Sequence, residues 1–193
     1  MKGIYWLTLS VFSTAFLSFT PLNKKYIVID AGHGGSDSGV VFGNFSEKEI
    51  SLKIAKEIQK INGSQSKYEV VLTRDSDTYP SLAERTQQIN ELKPEMVISL
   101  HVNKSSQPEA AQQGAEVYPQ ASESSKNLAE KISEKFNARQ IEGRNLHMLR
   151  ETKVPAVLVE LGFLNNTKDR EYLTSEKGRK EIAQKFVEVI NAY

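Results

Sequence analysis

Short apolar runs alternate with amphipathic stretches along most of this chain. Residues 26–30, 68–73, 96–101, 114–118, 146–150 and 156–161 are apolar runs of strand length, bounded by polar or turn-forming residues. Between them the period lengthens. Ile50, Ile54, Ile58 and Ile61 fall on one face of a predicted helix over residues 46–61. Ser46 with Glu49 three residues later predicts a capping box at its start, and Asn62-Gly63-Ser64 a turn at its end. A second box, Ser81 with Glu84, opens a predicted helix over residues 81–92, with Pro94 beyond its end. Two further helices are predicted over residues 122–138 and 177–192, the last aligning Ile182, Phe186, Val189 and Tyr193. Strands apolar on both faces, alternating with helices, predict an α/β fold: a single domain with a mostly parallel twisted sheet of about six strands and helices on both faces.

The first residues break this pattern. From Gly3 to Leu22 no side chain is charged, and Lys2 precedes the run. A basic start followed by such a stretch reads as a signal peptide or an N-terminal membrane anchor over residues 1–22, leaving residues 23–193 as the folded domain. The expected location is therefore exported, in the periplasm or cell envelope. Lys2 is the only charged residue before Lys24, so the remainder balances 24 basic against 24 acidic residues. Without a basic excess, nucleic acid is not an expected partner. The chain has no cysteine, which excludes disulfides, thiolate metal sites and a cysteine nucleophile.

Chemistry gathers where apolar runs end. Ligand sites in open α/β sheets form beyond the carboxyl ends of strands. IVIDAGHGG ends with His33, VVLTR with Arg74, and MVISLHVN with His101 and Asn103, while PAVLVELGF carries Glu160 inside an apolar strand. Two histidines and a carboxylate at one sheet edge suit Zn²⁺, which binds imidazole nitrogen and carboxylate oxygen and keeps a position for water in catalytic sites. Glu47 and Glu49, both near the helix start after the His33 loop, compete for the missing ligand. A charged Glu160 in a buried strand is costly unless it is paired or near a metal. Asp30 is expected to support the His33 ring. Arg74 and Asn103 are expected to orient substrate, and His147, reading as an alternating strand position in NLHMLR, to touch it. The glycines around His33 also resemble a phosphate cradle, but the Lys-Ser/Thr ending of a P-loop and the third glycine of a dinucleotide fingerprint are missing.

IVIDAGHGGSDSG, SEKEISLKIAKEI, VVLTR, SLAERTQQIN, MVISLHVN, GAEVYP and VPAVLVELGFLNNTKD, in this order, resemble the zinc-dependent N-acetylmuramoyl-L-alanine amidases of the Amidase_3 type, bacterial cell-wall hydrolases. The resemblance covers nearly all of residues 25–193. It implies one Zn²⁺ held by His33, Glu47 and His101, with Glu160 catalytic, and it selects Glu47 over Glu49. The implied reaction cleaves the amide between N-acetylmuramic acid and L-alanine of peptidoglycan. The expected partners are peptidoglycan and a regulatory protein, with the chain a monomer. Membrane contact is expected only through an uncleaved N-terminal segment. The family usually has a smaller residue at Val102, so a bulkier site rim is expected here, and it often has an aromatic residue at His147. Only one helix fits between Tyr118 and Leu146, so no inserted inhibitory helix is expected, nor a cell-wall-binding module after Tyr193. A carboxypeptidase-like zinc peptidase, using Arg74 or Arg150 for a terminal carboxylate, is the rival reading, and a non-catalytic wall-binding module a second.

Overall fold

The computed structural model describes residues 25–63 and 67–193. The predicted leader over residues 1–22 and Ser64 of the predicted turn lie outside the described residues. In chain order the elements are β1 (Lys25–Ala31), β2 (Val41–Phe42), β3 (Phe45–Ser46), α1 (Glu47–Asn62), β4 (Tyr68–Leu72), α2 (Leu82–Leu92), β5 (Met96–Asn103), β6 (Glu116–Pro119), α3 (Glu123–Phe136), β7 (Gln140–Ile141), α4 (His147–Glu151), β8 (Ala156–Phe163), α5 (Thr167–Thr174) and α6 (Glu176–Asn191).

Six strands form one sheet in the order β4-β1-β5-β8-β6-β7. The first four run parallel, and β6 pairs antiparallel with β8. The expected mostly parallel sheet is present, but its sixth member differs. Residues 146–150 are not a strand; α4 occupies that place, and Gln140–Ile141 pairs with β6 instead. The Leu-His-Met-Leu-Arg run contains no β-branched residue and is rich in helix formers. Adjacent Met148 and Leu149 are both buried, which a helix wedged between α2 and β8 permits and strand alternation does not.

Strand alternation divides the core in two. Ile27, Ile29, Ile98, Leu100, Val157 and Val159 face α1, α3 and α6. Val28, Val97, Ala156 and Leu158 face the other way, packed with Ile89 of α2 and Met148 and Leu149 of α4. That second cover is smaller, one helix of 11 residues and one of five. Beyond it, toward the carboxyl ends of the parallel strands, the same face carries Asp30, Ser99, His101 and Glu160. Cross-strand register aligns Asp30 with Ser99, and His101 with Glu160 and then Glu116.

The α2 capping box forms as predicted, with Ser81 and Glu84 bonded reciprocally. The α1 box does not. Ser46 makes no capping bond, and Glu49 pairs with Lys53 in solvent. The preceding loop caps the helix instead, because the amides of Glu47 and Lys48 donate to the carbonyls of Val40 and Ser38. This ties the head of α1 to the His33 loop. Helix α5, absent from the periodicity, is held by Asn166, which accepts from the Asp169 amide, and by buried Asp169, which accepts from Phe163 and Gly114.

Candidate metal centre

His33 sits one turn of loop beyond β1 with φ 60°, in the left-handed region that costs a non-glycine residue energy. Several contacts hold it there. Arg85, buried in α2, donates from Nη2 to the His33 carbonyl at 2.5 Å and from Nη1 to the Ala31 carbonyl at 2.7 Å. The same Nη1 reaches Asp30 Oδ1 at 2.8 Å. Asp30 also accepts from Thr73 and Ser99. Burial alone would raise the Asp30 carboxyl, but the Arg85 charge and these donors hold it below the usual carboxylate range.

Asp30 therefore does not support the His33 ring, as the sequence led us to expect. Asp37 does: its Oδ2 lies 2.8 Å from His33 Nδ1, and its Oδ1 accepts from the Gly39 amide. The two are four positions apart in sequence, and the loop folds back to join them. Arg74 is also corrected. It is buried rather than free for substrate, and its guanidinium donates to the carbonyls of Ala31, Gly32, Lys48 and Ser76. Asn103 bonds to Glu116 at 3.1 Å. Val102 packs in the larger core and does not bulk the rim; only its amide reaches the site, donating to Glu47.

Glu47 is the centre of the arrangement. From the first turn of α1 its Oε1 lies 3.1 Å from His33 Nε2 and 2.8 Å from His101 Nδ1, and it accepts from the Val102 amide at 3.0 Å. Its Oε2 accepts from the Val40 amide. The potential ligand atoms of His33, Glu47 and His101 lie within 4.8 Å of one another, the one such group among the described residues. Burial opposes ionisation of Glu47, but the two imidazoles outweigh it and lower its pKa. Burial likewise opposes charge on His33, yet Glu47 and Asp37 together raise it to about 9. His101 shifts upward too, because Glu47 overcomes its burial. With two nitrogens converging on one carboxylate oxygen, the protein alone balances charge by holding protons on the rings. A divalent cation would replace those protons, and the two-nitrogen, one-oxygen donor set fits Zn²⁺.

The glycines make room for these side chains. A Cβ at Gly32 would lie 2.5 Å from His101 Cε1, and one at Gly39 2.5 Å from Glu47 Oε2 and 2.6 Å from His33 Cδ2. The loop is no phosphate cradle. The amides of Gly34, Gly35 and Gly39 are already taken by Asp37 and Asp77.

Glu160 stands beside His101 in cross-strand register. Its Oε2 is buried without a hydrogen-bond partner. Burial pushes its carboxyl up to about 7; His101 opposes this, while Glu47 and Glu116 add to it. Glu116, its neighbour on the other side, is fully committed to Arg139, Tyr118 and Asn103. A cleft of about 280 Å³ opens next to His33 and His101, walled by Tyr79, Leu82, Leu146 and Leu158, with His147 in its lining.

The family model described as N-acetylmuramoyl-L-alanine amidase matches residues 27–192. The chain belongs to this family. It is 35% identical over 182 residues to the probable cell wall amidase LytH of Staphylococcus saprophyticus, covering 90% of this chain and 60% of that protein. It thus spans about three fifths of that relative's length. The catalytic domain of CwlV, an N-acetylmuramoyl-L-alanine amidase from Bacillus (Paenibacillus) polymyxa, superposes with a TM-score of 0.82 at 37% identity, covering 88% of this chain and 97% of that one. The CwlD amidase of Clostridioides difficile, solved with the GerS lipoprotein, gives 0.78 at 30% identity over 88% and 98% of the two chains.

Proposed function

We propose that this chain is a zinc-dependent peptidoglycan hydrolase that cleaves the amide between N-acetylmuramic acid and L-alanine. The observation that carries the reading is the convergence of His33 and His101 on Glu47, next to a strand glutamate with a free carboxylate oxygen. Family membership supplies the substrate class.

His33, Glu47 and His101 would hold the ion. When bound, it supplies Lewis acidity to the amide carbonyl and to the attacking water. Asp37, bonded to His33 Nδ1, would keep the proton there and leave the Nε2 lone pair available as a ligand. Glu160 takes the proton from the attacking water and passes it to the leaving amine nitrogen. Burial raises this carboxyl above its ordinary range, which favours its return of the proton to the amine. The peptidase rival loses one of its two cationic residues, since Arg74 is buried and spent on carbonyls.

The test is mass spectrometry of peptidoglycan digested by the protein. Stem peptides starting with a free L-alanine amine, lost on chelation and restored by zinc, are expected. Release of single carboxyl-terminal residues would refute the reading. A narrower expectation concerns Asp37→Ala: zinc affinity falls ten- to a hundredfold in competition with a chelator, and an unchanged affinity would show that the His33 ring needs no such support.

An exported location, in the periplasm or envelope, accords with this substrate. Lys25 opens β1 at the amino end of the parallel strands. A leader or anchor over residues 1–22 would therefore join the domain at the end of the sheet remote from the cleft. A regulatory protein partner is part of the proposal; the CwlD amidase is found in complex with another protein, the GerS lipoprotein.

A further inference from the structure

Four buried side-chain polar atoms lack a hydrogen-bond partner among the described residues: Ser46 Oγ, Asn62 Oδ1, Glu160 Oε2 and His147 Nε2. An unpaired buried polar group is costly, so each invites a reason. Glu160 has one in proton transfer. His147 has none in the reaction as described, yet its side chain lines the same cleft as His33 and His101.

The surroundings specify what it can bind. The charged side chains of the cleft are already used: Arg85 on Asp30 and backbone carbonyls, Asp30 on Thr73, Ser99 and Arg85, Asp37 on His33. The rest of the wall is mainly apolar, with Tyr79, Leu82, Leu146 and Leu158. His147 Nδ1 lies 3.5 Å from Arg150 Nη2. A guanidinium only donates, so Nδ1 carries the lone pair and the proton sits on Nε2. Nε2–H is then a donor in want of an acceptor. Nε2 is buried in the free protein, so donation into the cleft requires the ring to rotate about the Cβ–Cγ bond, a broad torsion for histidine. A mainly apolar wall with two uncommitted polar groups, His147 and the exposed Tyr79 hydroxyl, suits a peptide strand, whose carbonyls recur between small aliphatic side chains, better than a hydroxyl-rich sugar.

We propose that His147 is a specificity-determining residue whose Nε2–H donates to a backbone carbonyl oxygen of the stem peptide. The proposal rests on the amidase reading and adds to it which part of the substrate lies along α4. The test compares the wild-type zinc enzyme with His147→Phe and His147→Gln on a muramoyl-pentapeptide. His147→Phe keeps the ring shape and removes the donor. It should raise KM about tenfold, the loss of roughly one hydrogen bond, and leave kcat within twofold and zinc content unchanged. Its Tm should be equal or higher, since an unpaired buried nitrogen is gone. His147→Gln, which retains an N–H donor, should stay within about threefold of wild-type KM. A wild-type KM in His147→Phe, or equal impairment in both variants, would overturn the proposal. Failure of the amidase reading is seen separately, as absence of released stem peptide with the wild-type enzyme. Calorimetric binding of the same muramoyl-pentapeptide to zinc-loaded Glu160→Gln then still decides: a Kd unaffected by adding His147→Phe, or no binding at all, also overturns it.

Discussion

Glu160→Gln is expected to keep one zinc ion per chain and to lower turnover of a muramoyl-peptide by about 10²–10⁴, the usual contribution of a positioned proton-transfer group. The substitution changes one oxygen for an NH₂ group of the same shape. It leaves His33, Glu47 and His101 untouched, none of which is hydrogen-bonded to Glu160. What it removes is the ability to accept a proton. Stability should hold or rise, because a carboxylate with an unpaired buried oxygen is replaced by a neutral amide. Elemental analysis and single-turnover rates check the two halves independently. Near-normal turnover would show that the water's proton goes elsewhere; loss of zinc would show that Glu160 helps to bind the ion rather than to move protons.

Much of this site was legible in the chain because of strand periodicity. Polar residues at the carboxyl ends of apolar runs pointed to His33, His101 and Glu160, and a sheet whose parallel strands share one direction brings those ends together. Glu47 was different. Local patterning left it level with Glu49, and the resemblance chose between them. The fold accounts for that choice: loop carbonyls cap the first amides of α1, so Ser46 and Glu49 never form their box and the Glu47 side chain swings under both rings.

The misassignments share a cause. Alternation puts Asp30 on the His101 face of the sheet, but its charged partner, Arg85, lies 55 residues away in α2, and only the sheet order brings them together. Asp37, the real support of His33, was in plain view in GGSDSG. The positive φ angles at His33, Gly35 and Gly39 bend the loop back on itself, a path that residue spacing does not reveal. Arg74 at a strand end looked like a substrate ligand, yet the irregular loop needs donors for its carbonyls, and Arg74 supplies them. Helix α4 was read as a strand because five apolar-rich residues fit either period.

Arg85→Met is the second large effect. It removes the partner of a buried carboxylate, with side chains 3% exposed on both sides of the pair. Breaking such a pair costs about 3–5 kcal/mol, which for a domain of this size lowers Tm by about 10 °C. The pH dependence gives the cause away. In the wild type the Asp30 pKa is depressed, so the pair's contribution is present above the unfolded carboxylate value near 4 and is lost as pH falls through the folded one. In the variant, Asp30 stays buried without its guanidinium, and its pKa rises above the unfolded value. Lowering the pH then neutralises a charge that destabilises the fold. The stability gap between the two proteins should be widest near neutrality and narrow toward pH 4. Denaturant titrations across that range measure it, and a gap independent of pH would locate the cost in lost packing instead. The carbonyls of Ala31 and His33 lose their donors in the same substitution. His33 is then freer to leave φ 60°, so zinc affinity should fall along with stability. Arg85→Lys separates the two effects. A lysine keeps the charge beside Asp30 but has no planar fork to reach both carbonyls, so it should recover more of the stability than of the metal affinity.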